Sequence, residues 1–410
     1  MKHWPFSPLF TLLLMVPLVS FYSFALDLYI PLLPAIQQEM DASRVVMQYT
    51  NSLFMFFCGL GQLVFGPISD RYGRRPILLV SCQILFLANV VCAFSPSVEF
   101  LLLGRILQAT GACGCYLVAF ATIRDIYPDA NKSAEMFSYL NIANSLSAIF
   151  APSIGSFIGS MMTWHAIFYT QMITSAATTT YCLFCFYETT STQDPQPLNF
   201  RKIGLNYWTI FTHINYQVYT LPAACGMGSF FAYYSVSPYI YQEVLGFTPL
   251  AFSLLYGTCG MTFFVGSYLC GLCVARYGIL SALTVSLTIH ILGCLGVLAC
   301  VTLLPTLLAL PFHLSIILII LGASFMVGAG IGGTMAPFSA MAGAAFAMIS
   351  CYKFMLSEVM GDWVVFFYND TPLSLGLILL AVNLLSWLVL LLNKHKLISK
   401  TLSQNGAMVQ

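Results

Sequence analysis

Charge is what this sequence has least of. Only 7% of its 410 residues are Asp, Glu, Lys or Arg, while hydrophobic residues make up 59%. Soluble domains carry about 25% charged residues, so a dispersed soluble domain is excluded. With a mean hydropathy of +0.86, the chain must be solvated largely by lipid. Signatures of soluble chemistry are lacking too. There is no Lys-bearing phosphate loop, no nucleophile elbow and no His-Glu-x-x-His, so neither a nucleotide site nor a membrane enzyme is expected. The run Gly328-Ala329-Gly330-Ile331-Gly332-Gly333 follows no strand and carries no Lys, so close packing or bending accounts for it. His213, His290 and His313 are scattered, and the pairs Cys182/Cys185 and Cys270/Cys273 have no His neighbours, so no metal site is expected. The 14 cysteines lie mostly inside apolar runs, where a thiol acts as a small hydrophobe. A net charge of +1 gives no reason for a nucleic-acid partner. The first apolar run, Phe6 to Leu33, is too long for a cleavable leader, lacks an Ala-x-Ala exit and contains Asp27, so it reads as a retained span.

What is present is a recurrence of apolar segments of spanning length. At about 20 residues per crossing, the pattern predicts an all-α integral membrane protein of twelve helices. They fall near 8–34, 46–68, 76–95, 99–121, 137–160, 165–187, 208–240, 250–273, 278–304, 311–334, 340–367 and 372–393. Helices are the natural solution in lipid, because each backbone polar group needs an internal partner there. Lys and Arg placement predicts the orientation. With a cytoplasmic N-terminus, the inner loops hold Arg71, Arg74, Arg75, Arg124, Lys132, Arg201, Lys202, Arg276 and the Lys-bearing tail, while the outer loops hold only Arg44. Both termini are therefore expected in the cytoplasm. The longest polar break, Glu188–Asn206, divides the chain into an N-terminal six-helix half (1–190), a linker (191–206) and a C-terminal six-helix half with a short tail (207–410). Two such halves are the pattern of a carrier built from repeats, with its cavity between them.

A trace of the repeat survives. Gly66-Pro67-Ile68-Ser69-Asp70-Arg71-Tyr72-Gly73-Arg74-Arg75 follows the second span, and Gly271-Leu272-Cys273-Val274-Ala275-Arg276-Tyr277-Gly278 follows the eighth. In the first copy Gly66 lets helix ends approach, and Asp70 can cap a helix or pair with an Arg across the halves. This spacing resembles the loop signature of the major facilitator superfamily. The resemblance covers essentially all twelve spans and implies a conformational latch at Gly66, Asp70, Arg71, Gly73 and Arg74, with Arg276 its echo.

Ionisable groups inside the spans carry the expected mechanism, since a charge in hydrocarbon costs several kcal/mol and needs a polar partner or passage. Arg105, in Leu103-Gly104-Arg105-Ile106-Leu107-Gln108, resembles the fourth-span Arg of the family's drug:proton antiporters, implicated in proton coupling. The alternative is a structural Arg bonding backbone carbonyls. Asp27, in Ala25-Leu26-Asp27-Leu28-Tyr29-Ile30-Pro31-Leu32-Leu33-Pro34, resembles the Asp-Met-Tyr-Leu-Pro-x-x-Pro stretch of the bicyclomycin and chloramphenicol resistance (Bcr/CflA) subgroup. A carboxylate away from water can trade its proton, as proton-coupled transport requires. The alternative is a first helix that ends early and leaves Asp27 wet. In the fifth span Ala151, Pro152 and Gly155 resemble the antiporter motif that bends this helix against the eighth, with Ala151 and Ser156 where Gly is usual. That departure weakens the inference of export. Lys353 and Glu358 in the eleventh span, where related exporters carry uncharged residues, are five residues and so about 140° apart on a helix. Two readings stand: Lys353 binds an anionic cargo group or Asp27 while Glu358 is a second titrating site, or the two fix helix packing. Tyr22, Tyr29, Asn51, Gln108, Tyr116, Asn141, Asn144, Tyr233 and Tyr234 complete the expected substrate cavity.

The resemblance implies a secondary transporter of the inner membrane of a bacterium, a monomer driven by a proton gradient and needing no cofactor. It would export a small amphipathic drug or metabolite. A proton-coupled importer of an amino acid or organic acid is the alternative, favoured by Lys353, Glu358 and the altered fifth-span motif.

Overall fold

The computed structural model describes residues 4–127, 130–189, 200–303, 306–338 and 341–407. Among them the chain is helical almost throughout, with no strand. The first span, α1 (Pro8–Asp27), opens with Ser7 capping the Phe10 amide and Pro8 at its first position, where the missing N–H costs nothing. It stops at Asp27 and turns through Ile30–Leu32 into the short α2 (Leu33–Glu39). Pro31 and Pro34 remove the N–H groups a continuous helix would need, which is why the single helix predicted over 8–34 is broken.

The next five are α3 (Arg44–Tyr72), α4 (Arg74–Ala93), α5 (Val98–Ile126), α6 (Ala130–Met161) and α7 (His165–Cys185). The helix predicted over 208–240 is two: an amphipathic α8 (Phe200–Phe211), which starts inside the stretch expected as linker, and α9 (Ile214–Pro238). His213 makes the break by accepting the Asn215 amide on its Nδ1 at 3.2 Å, an N-cap. Residues 191–199 of the expected linker lie outside the described residues. Beyond Pro238 the chain widens into a π-helical turn, Tyr239–Val244. Then come α10 (Pro249–Tyr277), α11 (Ile279–Thr302), α12 (Ala309–Met335), α13 (Ala342–Phe366) and α14 (Leu373–Ala407). Nine stretches among the described residues are long and apolar enough to cross a membrane, α1 to α2 counting as one. The other long helices, α7, α9 and α13, carry more polar side chains, such as Gln171 in α7 and Lys353 in α13.

Packing gathers the chain into two compact units, Met1–Phe200 with Tyr234–Met261, and Arg201–Tyr233 with Thr262–Gln410. In the first, α5 lies so close to α4 that a Cβ on Gly111 would sit 2.6 Å from the Leu85 nitrogen. The second repeats this: a Cβ on Gly322 of α12 would sit 2.7 Å from the His290 nitrogen of α11. Small residues that let backbones meet are the usual means of helix association in lipid, where no hydrophobic drive exists. Around the second pair, Leu283, Leu287, Phe325, Met326 and Leu390 form an apolar core. The free cysteines are buried apart from the partly exposed Cys185 and Cys273.

Candidate proton and substrate site

Five helices of the first unit are joined through Arg105 and Gln108 of α5. The wholly buried Arg105 guanidinium donates from Nε to the Thr50 carbonyl (3.0 Å) and from Nη1 to the Ala25 carbonyl (2.6 Å). It reaches Gln108 Oε1 at 2.6 Å from Nη1 and Asn51 Oδ1 at 3.3 Å from Nη2. The rings of Tyr29 and Phe54 lie 4.9 and 4.5 Å from Cζ, so their π faces supply negative potential without an acid. Gln108 passes the network on, donating to Asn89 Oδ1 of α4 and Gln171 Oε1 of α7, both at 2.7 Å. Gln171 returns it to α1 through the Phe24 carbonyl at 3.3 Å. Among the described residues no carboxylate pairs with Arg105, and two of its partners are backbone carbonyls. The Asn51 Nδ2 group, buried beside it, has no hydrogen-bond partner there.

Asp27 ends α1, as the second reading of that stretch required, yet it is buried rather than wet. Tyr256 of α10 donates to its Oδ1 over a long 3.5 Å, and Tyr234 donates to the neighbouring Leu26 carbonyl at 3.0 Å. Tyr29 is fully buried, its hydroxyl 3.1 Å from that of Thr50.

A half-buried aromatic strip runs beside this centre. Ring centroids stand 5.8 Å apart for Tyr22 and Tyr116, 4.8 Å for Tyr116 and Phe120, and 5.5 Å for Phe120 and Phe137. Such faces suit a flat apolar solute. Asn144 accepts from Ser23 at 2.8 Å, tying α6 to α1. The side chain of Asn141 lies outside the described residues. In α6 a Cβ at Gly155 would collide with the Leu28 carbonyl, and Ala151 is buried. Ser156, standing where Gly is usual, shares a 2.5 Å hydrogen bond with Ser253 of α10, which also donates to the Pro152 carbonyl at 3.1 Å. The residues of the fifth-span motif thus fasten α6 to both α1 and α10.

The second unit holds Tyr233, fully buried, and the α13 charges. Lys353 is half-buried with its ammonium 5.2 Å from the Phe354 ring, and no carboxylate pairs with it among the described residues. Glu358 is buried, and Asp362, which the sequence reading passed over, follows one turn later on the same face. Also in this unit, His290 sits between Ser229 (2.8 Å from Nε2) and Asn383 (2.8 Å from Nδ1). Ser229 spends its proton on the Cys225 carbonyl and Asn383 is the donor to Nδ1, so the ring is neutral with its proton on Nε2.

The Gly66–Arg75 loop is a charge knot. Arg74, buried, pairs with Asp70 at 2.6 Å and Asp125 at 2.8 Å and donates to Ser69 Oγ at 2.6 Å. Asp70 therefore finds its Arg one turn on, within the loop. The anion at the start of α4 is Glu188, which accepts the Arg74 and Arg75 amides at 2.9 and 3.1 Å. Gly73 takes φ +98°, a left-handed value that only glycine adopts freely. Gly66 faces open space, and Arg71 lies over the Tyr72 ring at 5.3 Å. The echo keeps this local form: Arg276 lies over Tyr277 at 5.2 Å and Gly278 has φ +81°. Sequence reasoning missed Asp125, Glu188, Asn89, Gln171 and Tyr256. The two acids could have been sought as counter-charges at the base-rich end, and the amides as polar breaks in apolar runs.

Residues 15–357 match the profile of the Major Facilitator Superfamily. The chain belongs to that superfamily. It is accordingly a multi-pass membrane transporter rather than an enzyme. It is similar to a chloramphenicol resistance protein of Pseudomonas aeruginosa, 29% identical over 372 residues that cover 88% of this chain and 85% of the relative. It is also similar to a bicyclomycin resistance protein homolog of Haemophilus influenzae, 25% identical over 355 residues that cover 85% and 87% of the two. These relatives bear out the resemblance to the bicyclomycin and chloramphenicol resistance branch. A solved peptide transporter in complex with sulfate shares the superfamily fold at a TM-score of 0.75 and 14% identity, covering 95% of this chain and 94% of that one.

Proposed function

We propose that this chain is a proton-driven antiporter that exports a small amphipathic drug or metabolite. In this reading twelve spans, with both termini in the cytoplasm of a bacterial inner membrane, form halves 1–190 and 207–410. The halves rock about a site near mid-membrane, and the proton gradient stands in place of any cofactor. The observation that carries the reading is the carboxylate of Asp27. It is buried, and Tyr256, a neutral hydroxyl, is the side chain that donates to it. A carboxylate held that way can be neutral or ionised according to which side supplies protons, whereas one locked to a cation stays ionised. Arg105, spending its bonds on neutral oxygens, is a fixed positive charge that biases the site without neutralising it. The strip of Tyr22, Tyr116 and Phe120 takes the cargo. The resistance functions in the names of the relatives support this cargo class and the outward direction.

The test is chloramphenicol flux driven by a pH gradient in proteoliposomes. Asp27→Asn should abolish it while leaving the protein folded, and undiminished flux in that variant would overturn the assignment. Import of an anionic nutrient is the second reading, favoured by Lys353, an ammonium inside α13 with no paired carboxylate among the described residues. Counterflow of radiolabelled organic and amino acids, beside resistance assays in a transporter-deficient host, separates the two.

A further inference from the structure

The segment Tyr234–Met261 packs with the first unit although α9 enters it from the second at Tyr233. Its grip is made of a few polar contacts. Tyr234 holds the Leu26 carbonyl at the end of α1, which also accepts the Tyr29 amide at 3.2 Å. Tyr256 holds the Asp27 carboxylate. Gln242 donates to the Pro31 carbonyl at 3.0 Å, and Glu243 pairs with Arg44 at 2.6 Å, the arginine also lying over Tyr239 at 5.4 Å. Three of these residues, Tyr239, Gln242 and Glu243, belong to the π-helical turn, a form that is rare and concentrated at functional sites.

We infer that this segment is a clasp on the end of α1, and that Tyr256 is the positioning residue through which the charge of Asp27 sets the clasp. The inference rests on Asp27 being the proton-exchanging acid. An ionised carboxylate accepts the Tyr256 hydroxyl as a charge-assisted bond, roughly twice as strong as a neutral one. A proton on Asp27 removes that advantage, and the segment lets go. The remaining contacts include the hydrogen bonds of Tyr234 and Gln242 to carbonyls, the partly exposed ion pair at Arg44, and the bonds of Ser253 to Ser156 and the Pro152 carbonyl of α6, none of which changes with the proton on Asp27. The groups around the carboxylate define the same switch. Arg105 of α5 reaches α1 at Ala25, Gln171 of α7 at Phe24 and Gly155 of α6 at Leu28, while α10 supplies Tyr256. Tyr256 is thus the group that reads the carboxylate directly, and Arg105 is a constant background. The coupling this gives is economical: the proton that drives export is also the signal that frees one tip of the chain to move.

The test uses the full chain in nanodiscs with spin labels at Gln38 and Val244, both exposed and both in the first unit. The distance between them is measured against pH. The wild type should hold one short distance at alkaline pH and gain a longer one as pH falls. Asp27→Asn should show the longer distance at every pH. Tyr256→Phe keeps the ring and removes the donor, so the ionised form loses support and the midpoint should rise by about one pH unit, tenfold in proton affinity. Tyr234→Phe should loosen the clasp at all pH values without moving that midpoint. If Asp27→Asn keeps the wild-type pH response, the proton assignment itself fails. If Asp27→Asn loses the response but Tyr256→Phe keeps the wild-type midpoint, the assignment stands and the clasp falls.

Discussion

The two units carry the same pair of helices and fill them differently. A shift of 205 positions relates Arg71 to Arg276 and Leu85 to His290, and a shift of 211 relates Gly111 to Gly322. At those places the backbones agree: the Arg lies over the Tyr ring, the glycine is left-handed, and α5 meets α4 as α12 meets α11. The chemistry does not agree. Arg105 corresponds to Ile316, and Asp70 to Ala275. Close packing is thus the inherited part of each unit. Within this helix pair the buried arginine stands in the first unit, whereas the second unit carries its charged side chains Lys353, Glu358 and Asp362 on α13.

The comparison can be broken first at its hub. Arg105→Met leaves the Ala25 carbonyl and the side-chain oxygens of Gln108 and Asn51 short of a donor in a buried place. At about 1–3 kcal/mol for each unsatisfied group, we expect a loss of roughly 3–6 kcal/mol in a reversible unfolding titration in mixed micelles, with transport abolished. Ile316→Leu should cost under about 1.5 kcal/mol. Equal losses would mean the hub is ordinary packing. Next come the loops. Arg74→Ala strands Asp125 and Asp70, and because those acids are partly exposed the loss should be about 2–3 kcal/mol. Arg276→Ala, whose side chain lies exposed over Tyr277, should stay within about 0.5 kcal/mol. The glycines sharpen the shared part: Gly111→Ala and Gly322→Ala should each cost about 1–3 kcal/mol, alike in the same titration because their surroundings are alike. The smallest effect is Glu188→Gln, which weakens an anion at a helix start by about 0.3–1 kcal/mol. A matching pH-driven flux assay should show the balance of inward and outward forms shifting by a few-fold.

Much of this was legible in the residues because charge in a hydrophobic run cannot hide. Asp27, Arg105, Lys353, Glu358 and the loop at Asp70 stand out for that reason, and Pro31 and Pro34 mark the place where α1 breaks. The partners were not legible. Arg105 is answered by carbonyls, amides and ring faces, which every span possesses, so nothing in the pattern says which ones converge. Tyr256 is one tyrosine among 22. The break at His213 was missed because the apolar run continues through it, and a histidine cap has no apolar signature.

That no carboxylate pairs with Arg105 among the described residues has an electrical consequence. A full positive charge buried in a membrane feels the voltage across it, worth about 2.3 kcal/mol per elementary charge for each 100 mV traversed. Bolted by its bonds to α1, α3 and α5, that charge can travel only as far as the helices themselves are displaced. Whatever field the cell maintains therefore pulls on the scaffold as a steady load. The part of a transport cycle that voltage can drive is left to charges that cross the whole thickness.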